Sequence, residues 1–143
     1  MKNYIKILIG VLIVAVTGFF WFWKTARTVE GVTDRNNYNL GDALAISIKN
    51  NLGQTVCFSS CYPYLLEKQN VGGGWDQYLY ESCSQKDIAA DCISADGVKK
   101  FRLSLAEADA GMNRLKLQVC VNCAPGREFK ANSALYSNVF EVK

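Results

Sequence analysis

Cysteine is the residue type with the most varied chemistry in this chain, and histidine is absent. The six cysteines are Cys57, Cys61, Cys83, Cys92, Cys120 and Cys123. Without histidine the chain lacks the commonest general base, the Ser-His-Asp and Cys-His nucleophile arrangements, and imidazole ligands for a metal. No other group of residues indicates catalysis, so we expect a protein that is not an enzyme and binds no cofactor and no metal.

An even number of cysteines in a domain of this size indicates a disulfide framework. Cys61 and Cys83 are equidistant from Gly72, which lies in a glycine-rich turn, and this symmetry predicts that they are bonded. Cys120 and Cys123 are close enough in sequence to close a local loop. Cys57 and Cys92 then pair by elimination.

Two other uses of the thiols remain open. Cys57-x3-Cys61 and Cys120-x2-Cys123 supply the four thiolates of a zinc site, although this assignment leaves Cys83 and Cys92 unexplained. Cys120-x2-Cys123 also has the spacing of a thioredoxin-type redox pair. That chemistry favours a thiol at a helix N-terminus, whereas this pair ends a predicted strand.

Two groups of polar side chains are candidates for ligand binding. Asp87, Asp91 and Asp96 share one predicted loop, but they do not follow the spacing of a calcium-binding loop. Four tyrosines form an aromatic platform for a glycan or protein if they face solvent, and part of the core if they do not: Tyr62, Tyr64, Tyr78 and Tyr80.

The N-terminus is predicted to anchor the chain in a membrane. Residues 1–6 carry Lys2 and Lys6, and residues 7–23 are uncharged and end in an aromatic cluster, as expected of a transmembrane helix. The alternative is a cleaved signal peptide, but Lys24 precedes Ala26 at the position where a small residue is expected. We expect a single-pass signal anchor in the cell membrane, a tether at 24–37, and a domain at 38–143 outside the cytoplasm, where disulfides form.

Charge gives no indication of a nucleic-acid surface. The net charge of the chain is +3, from 16 basic and 13 acidic residues, and both signs are interspersed along the sequence. Because nucleic-acid surfaces need clustered basic charge, we expect no nucleic-acid partner.

Beyond the N-terminus, short runs in which apolar and polar residues alternate predict β-strands. The clearest are residues 43–50, 99–105 and 113–122; weaker ones lie at 55–58 and 134–142, and Val29 and Val32 indicate a first strand. Residues 84–97 are predicted to form a loop with one helical turn near 88–91. The pattern predicts an all-β antiparallel two-sheet sandwich of seven or eight strands behind one transmembrane helix, with Leu44, Ile46, Ile48, Phe101, Leu103, Leu115, Leu117 and Val119 in its core.

The segment between Cys61 and Cys83 is predicted to be a β-hairpin. Residues 62–69 and 75–82 flank a turn at 71–74 that contains three glycines. Folding the chain about Gly72 places Tyr64 opposite Tyr80, Leu65 opposite Leu79, and Lys68 opposite Asp76. These are pairings that neighbouring strands favour.

The order of short motifs resembles a bacterial immunoglobulin-like domain. The motifs are Tyr38-x-x-Gly41-Asp42 before a strand that ends in Ile48-Lys49-Asn50-Asn51; Leu66-Glu67-Lys68 and Trp75 across the glycine-rich turn; Asp96-Gly97 before Phe101-Arg102-Leu103; Gly111 before Asn113-Arg114-Leu115; and Ser137-Asn138-Val139-Phe140-Glu141-Val142. Over about residues 30–143 the chain is similar to bacterial immunoglobulin-like and intracellular-proteinase-inhibitor-like β-sandwiches. In those sandwiches a strand often reads Gly-x-Tyr-Arg-Leu, and Asn113 stands where that pattern has tyrosine.

The resemblance implies a binding or structural module with an unknown protein or glycan ligand. The alternative that it implies is a proteinase inhibitor, which presents an exposed, rigid loop to a protease. An inhibition assay separates these two hypotheses.

Overall fold

The computed structural model describes residues 28–78, 83–106 and 108–143, and all regular structure among them is β. Eleven strands follow one another along the chain: β1 (Val29–Thr33), β2 (Asn37–Tyr38), β3 (Ala43–Asn50), β4 (Val56–Ser59), β5 (Leu65–Gln69), β6 (Trp75–Tyr78), β7 (Ala89–Ile93), β8 (Val98–Ser104), β9 (Gly111–Val121), β10 (Ser133–Tyr136) and β11 (Phe140–Val142). The strands form two sheets, which confirms the prediction of an all-β, two-sheet fold.

The smaller sheet has three antiparallel strands in the order β1-β3-β8. Its central strand, β3, has the bounds that the alternating pattern predicts, because every second residue is buried. β1 lies within the segment predicted to be a tether, so the folded domain includes residues before position 38.

The larger sheet has eight strands arranged around β9. β10 and β11 pair with one edge of β9, and β4 and β5 pair with the other. β7 continues the sheet beyond β4, β6 continues it beyond β5, and β2 runs parallel to β11. A strand as long as β9 can therefore organise shorter strands on both sides.

The core lies between the two sheets. Seven of the eight predicted core residues are buried, and Phe101 is half-buried, with its ring packed edge-to-face on Phe58 at 5.4 Å between centroids. Phe140 and Val142 also point inward, as predicted. Two residues whose burial the alternation pattern did not single out are Tyr38 and Asn50.

The predicted hairpin register is confirmed where the structure describes it. Lys68 lies opposite Asp76, and Leu66 lies opposite Tyr78 in the same register. The predicted partners at positions 79 and 80 lie outside the described residues. Asn70 closes the turn, because its side-chain oxygen accepts hydrogen bonds from the backbone N–H groups of Gly72 and Gly74.

Two predictions of local structure were wrong. Residues 89–93 form β7 instead of a loop with a helical turn, since a bulge at Asp91 breaks the alternation that would have indicated a strand. The single strand predicted at 134–142 is two strands, β10 and β11. Ser137 interrupts them: its hydroxyl accepts a hydrogen bond from the N–H of Leu115 and donates one to the carbonyl of Asn138.

The predicted anchor at 7–23 lies outside the described residues. Within the part of the chain that is described, no helix has the length and apolar character needed to cross a membrane.

Candidate functional site

A cluster of polar and aromatic side chains lies on the outer face, the side of the eight-stranded sheet that is turned away from the core. Leu115 and Leu117 of β9 point into the core, so alternation directs Arg114 and Lys116 outward. Residues on neighbouring strands therefore meet these two side chains on the same face.

The strand register determines which residues surround Arg114. Glu67 of β5 lies directly opposite it, and Tyr136 of β10 lies opposite Lys116. Trp75 of β6 lies on the same face, two positions before the residue that pairs with Glu67. Four strands, of which β5 and β6 are consecutive parts of one hairpin, thus contribute to one cluster.

Arg114 is held between two aromatic rings. Its guanidinium carbon lies 4.2 Å from the centroid of the Trp75 ring and 4.2 Å from that of Tyr136. A cation over an aromatic face is attracted by the negative charge density of the ring, and arginine also stacks through its planar group. The three side chains therefore form a layered stack, which we call the Trp75–Arg114–Tyr136 stack.

Glu67 fixes the orientation of this guanidinium. Its nearly buried carboxylate accepts from Arg114 Nε at 2.8 Å and lies 2.7 Å from Arg114 Nη2. Lys116 Nζ lies 3.9 Å from the other carboxylate oxygen. With two cations and one anion, the cluster has a local charge of about +1, and Nη1 of Arg114 has no hydrogen-bond partner among the described residues.

Of the four predicted tyrosines, the three that the structure describes are not part of the Trp75–Arg114–Tyr136 stack. Tyr62, Tyr64 and Tyr78 are half-buried, and Tyr80 lies outside the described residues. The Tyr62 hydroxyl accepts from the N–H of Cys83, and Tyr64 packs against the core.

Tyr78 has a structural role at the start of β9. Its hydroxyl donates a short hydrogen bond to Asn113 Oδ1 and accepts from the N–H of Asp109 at 3.3 Å. Burial raises the pKa of Tyr78 to about 12. Asn113 is therefore the partner of a tyrosine from another strand.

The structure brings the six cysteines together in three pairs. Cys57 is bonded to Cys92, Cys61 to Cys83, and Cys120 to Cys123, which are the pairs predicted from the sequence. Cys61, a member of the hypothetical zinc set, is bonded to Cys83, which is not a member of that set. Cys57, by contrast, is the direct register partner of Cys120.

The three aspartates of the predicted loop serve separate functions. Asp87 accepts hydrogen bonds from the hydroxyl of Ser59 at 2.7 and 2.8 Å, and Asp91 forms an ion pair with Lys99 at 2.6 Å. Asp96 occupies the turn before β8 with a φ of 58°. No group of His, Cys, Asp or Glu among the described residues is arranged to hold a metal ion.

Sequence reasoning missed the Trp75–Arg114–Tyr136 stack. Arg114 was visible as an outward position of the clearest strand, but its neighbours depend on how β5 and β10 pair with β9 and on how β6 pairs with β5. Two of those pairings join segments that are far apart in sequence, so alternation within one strand carries no signal for them.

Comparison with known proteins identifies no family. No family model matches the chain, and no curated protein does. Among solved structures, the chain is similar to a Pseudomonas fluorescens alkylpurine DNA glycosylase, AlkC, bound to DNA containing an abasic site analog. The TM-score is 0.42 and the identity 11%; the similarity covers 80% of this chain and 30% of the glycosylase chain.

Two expectations from the sequence are corrected by this comparison. The neighbouring structure is an enzyme and is bound to DNA, so we withdraw the statements that the chain is not an enzyme and that it has no nucleic-acid partner. At this TM-score and identity, the similarity transfers neither activity nor DNA binding to the chain.

Proposed function

We propose that the chain is a membrane-tethered, extracytoplasmic immunoglobulin-like module that binds a protein or glycan through its outer face. The observation that carries this proposal is the Trp75–Arg114–Tyr136 stack, oriented by Glu67. Tryptophan, tyrosine and arginine are the residue types that most often dominate the energy of an interface.

The order of the strands supports the immunoglobulin-like assignment. An immunoglobulin sandwich places its strands A, B and E in one sheet and G, F, C and C′ in the other. The smaller sheet here has the order of A, B and E in β1, β3 and β8. The larger sheet has the order of G, F, C and C′ in β11, β9, β5 and β6. The sequence motifs that resemble the bacterial family fall in the same elements.

The outer face is suited to binding because its shape is set before a ligand arrives. Glu67 and two rings hold Arg114, so little side-chain entropy remains to be lost on binding. Tyr136 is exposed and Trp75 is half-buried, so both rings present an apolar surface beside a cation. Aromatic rings stack on the apolar faces of sugars, and the same rings serve as anchors in protein interfaces.

The three disulfides support a location outside the cytoplasm, where such bonds persist. Alkaline phosphatase fused after Lys143 tests the orientation. We expect enzymatic activity of the reporter and retention of residues 1–23 in the mature chain. An N-terminus near position 27, or an inactive reporter, would contradict the anchored topology.

Binding is tested with the full-length chain on a glycan array and on surface proteins of the native cells. Arg114→Ala should reduce binding at least tenfold, because the cation and the support for both rings are lost together. Arg102→Ala is the matched control, since Arg102 is an exposed arginine on the other sheet. Equal loss of binding in both variants would argue against the outer face.

One observation favours the second candidate, a proteinase inhibitor. Val71 at the tip of the β5–β6 hairpin is fully exposed, and the Asn70 side chain rigidifies the turn through bonds to Gly72, Gly74 and Asp76. An exposed, rigid loop is what an inhibitor presents to a protease. Inhibition of a protease that cleaves after small apolar residues should be lost in Val71→Asp and retained in Val32→Asp, an exposed valine elsewhere. Absence of inhibition by the unaltered chain would exclude this candidate for that class of protease.

A further inference from the structure

Four of the six cysteines lie together at one end of the outer face. Cys57 is flanked in β4 by the core residues Val56 and Phe58, and Cys120 follows the core residue Val119 in β9. Alternation therefore directs both sulfurs to the outer face. Because Cys57 and Cys120 are direct register partners, their side chains are neighbours on adjacent strands.

A bulge brings Cys92 to the other side of Cys57. The register of β4 and β7 passes from Val56–Ile93 to Phe58–Ala90, so Cys57 alone faces two residues of β7. The first of these, Asp91, adopts a left-handed φ of 48°, and the second, Cys92, is bonded to Cys57 with 4.0 Å between their Cα atoms. Bulges commonly redirect a side chain in this way.

Three cysteines therefore form a row across three neighbouring strands. β4 lies between β9 and β7, so Cys57 lies between Cys120 and Cys92. Thiol–disulfide exchange requires a thiolate that attacks one sulfur of a disulfide while the other sulfur leaves. The row supplies an attacking, a central and a leaving sulfur in that order.

The four cysteines differ in how far they are exposed to solvent. Cys57 and Cys120 are buried, whereas Cys92 and Cys123 are half-buried. The turn that contains Cys123 covers Cys57, with 3.5 Å between Cys57 Sγ and the Cys123 carbonyl oxygen. An external thiolate therefore reaches Cys92 and Cys123 before it reaches the buried sulfurs.

We propose that Cys57, Cys92, Cys120 and Cys123 form a thiol–disulfide exchange centre whose substrate is an external dithiol. One thiolate of the dithiol attacks Cys123 Sγ, breaks the Cys120–Cys123 bond and releases the Cys120 thiolate. Cys120 attacks Cys57 Sγ, forms a Cys57–Cys120 bond and releases the Cys92 thiolate, which takes a proton from solvent. The second thiol of the dithiol, deprotonated by solvent, displaces Cys123, which is then protonated; the dithiol is oxidised to a cyclic disulfide and the protein gains two electrons and two protons.

This exchange is independent of ligand binding at the outer face. It differs from a thioredoxin-type mechanism, because the buried thiol of the C-x-x-C pair passes the exchange to a second disulfide. The class of partner that fits is a small dithiol or a protein with two adjacent thiols.

The test uses the full-length chain, purified in a mild detergent and exposed to limiting dithiothreitol. The reaction is stopped with acid, free thiols are alkylated with N-ethylmaleimide, and the chain is cut with trypsin and chymotrypsin. Cleavage after Phe58 separates Cys57 from Cys61, and fragment spectra distinguish Cys120 from Cys123. We expect a two-electron-reduced species with Cys57 linked to Cys120 and with alkyl groups on Cys92 and Cys123.

Independent structural disulfides give a different result. Alkylation of Cys120 and Cys123 with Cys57–Cys92 intact, or the converse, overturns the proposal. Resistance of both bonds to excess dithiothreitol in the native state also overturns it.

A double variant provides a second measurement. In Cys92→Ser combined with Cys123→Ser, the proposal expects a Cys57–Cys120 bond after oxidative folding, and two free thiols at these positions contradict it. The wild-type measurement needs no substitution, so it stands even if this variant does not fold.

Discussion

At the scale of single residues, buried polar side chains determine how the loops attach to the sheets. The side-chain amide nitrogen of Asn50 lies within hydrogen-bond distance of the carbonyl oxygens of Gln54, Ile93 and Ser94, at 2.8, 3.1 and 2.9 Å. Its oxygen accepts from the N–H of Leu52 at 3.0 Å. Asn50 therefore joins the end of β3 to the end of β7, although the sequence marks it only as the last residue of a predicted strand.

Replacing Asn50 should destabilise the fold more than an ordinary surface substitution does. Asn50→Ala removes the donor to the buried Ile93 carbonyl and to the Gln54 carbonyl, whereas the Ser94 carbonyl keeps the N–H of Gly97. Leaving a buried polar group unsatisfied costs about 1–3 kcal/mol. Asn51→Ala is the matched control, because the N–H of Asn51 keeps its bond to Thr28. Denaturant unfolding measures both variants, and equal stabilities would contradict the role assigned to Asn50.

At the scale of elements, the β5–β6 hairpin depends on a disulfide beyond its base. Cys61 and Cys83 are separated by 22 residues, and a bond across a loop of that size stabilises the fold by about 3 kcal/mol on the chain-entropy model. Cys61→Ser combined with Cys83→Ser should lower the free energy of unfolding by about that amount. A variant as stable as wild type would show that the bond does not constrain the hairpin.

The contact between β6 and β9 should make the fold sensitive to alkaline pH. Tyr78 has a pKa of about 12 in the folded chain and about 10 when unfolded, so its contribution is complete below pH 10. That contribution is lost as the pH rises from about 10 to 12, because the folded state resists deprotonation. Tyr78→Phe should therefore show a smaller fall in stability over this range than wild type; parallel curves would contradict the assignment.

The sequence predicts an element when the signal for it lies within one strand or one hairpin, and it fails when the signal depends on the pairing of distant strands. Alternation within one strand predicts β3 and the inward residues of β9, and symmetry about Gly72 predicts the hairpin register. β7 was missed because a bulge breaks its alternation, and Arg114 gained its aromatic neighbours only through pairing of distant strands. Local patterns thus predict individual strands, whereas a surface formed by several strands can be predicted only when the order in which those strands pair is known.

At the scale of the whole molecule, β1 connects the two sheets. Gly31 of β1 pairs with Ile48 in the small sheet and forms an isolated bridge with Ser137 beside the large one. A Cβ atom at this position would lie 3.0 Å from Leu135 Cδ1 and 3.3 Å from Ile46 Cδ1. A side chain at this position would therefore have to displace the Leu135 and Ile46 methyl groups.

Gly31→Val should destabilise the domain, because overpacking a core typically costs about 1–3 kcal/mol. Val32→Leu, at an exposed position one residue further, should have little effect. Thermal unfolding of the two variants compares them directly. If Gly31→Val is as stable as Val32→Leu, the Leu135 and Ile46 side chains accommodate the added methyl groups and the close approach does not constrain position 31.

The measurement that tests the proposed binding function most directly is photo-crosslinking in the native cell. Benzoylphenylalanine replaces Gln77, which pairs with Glu67 beside the Trp75–Arg114–Tyr136 stack, or Lys49, an exposed residue of the small sheet. We predict one discrete crosslinked product from position 77, none from position 49, and loss of that product when Arg114→Glu is added. Absence of a product from position 77, or a product that survives Arg114→Glu, would contradict a binding surface centred on Arg114.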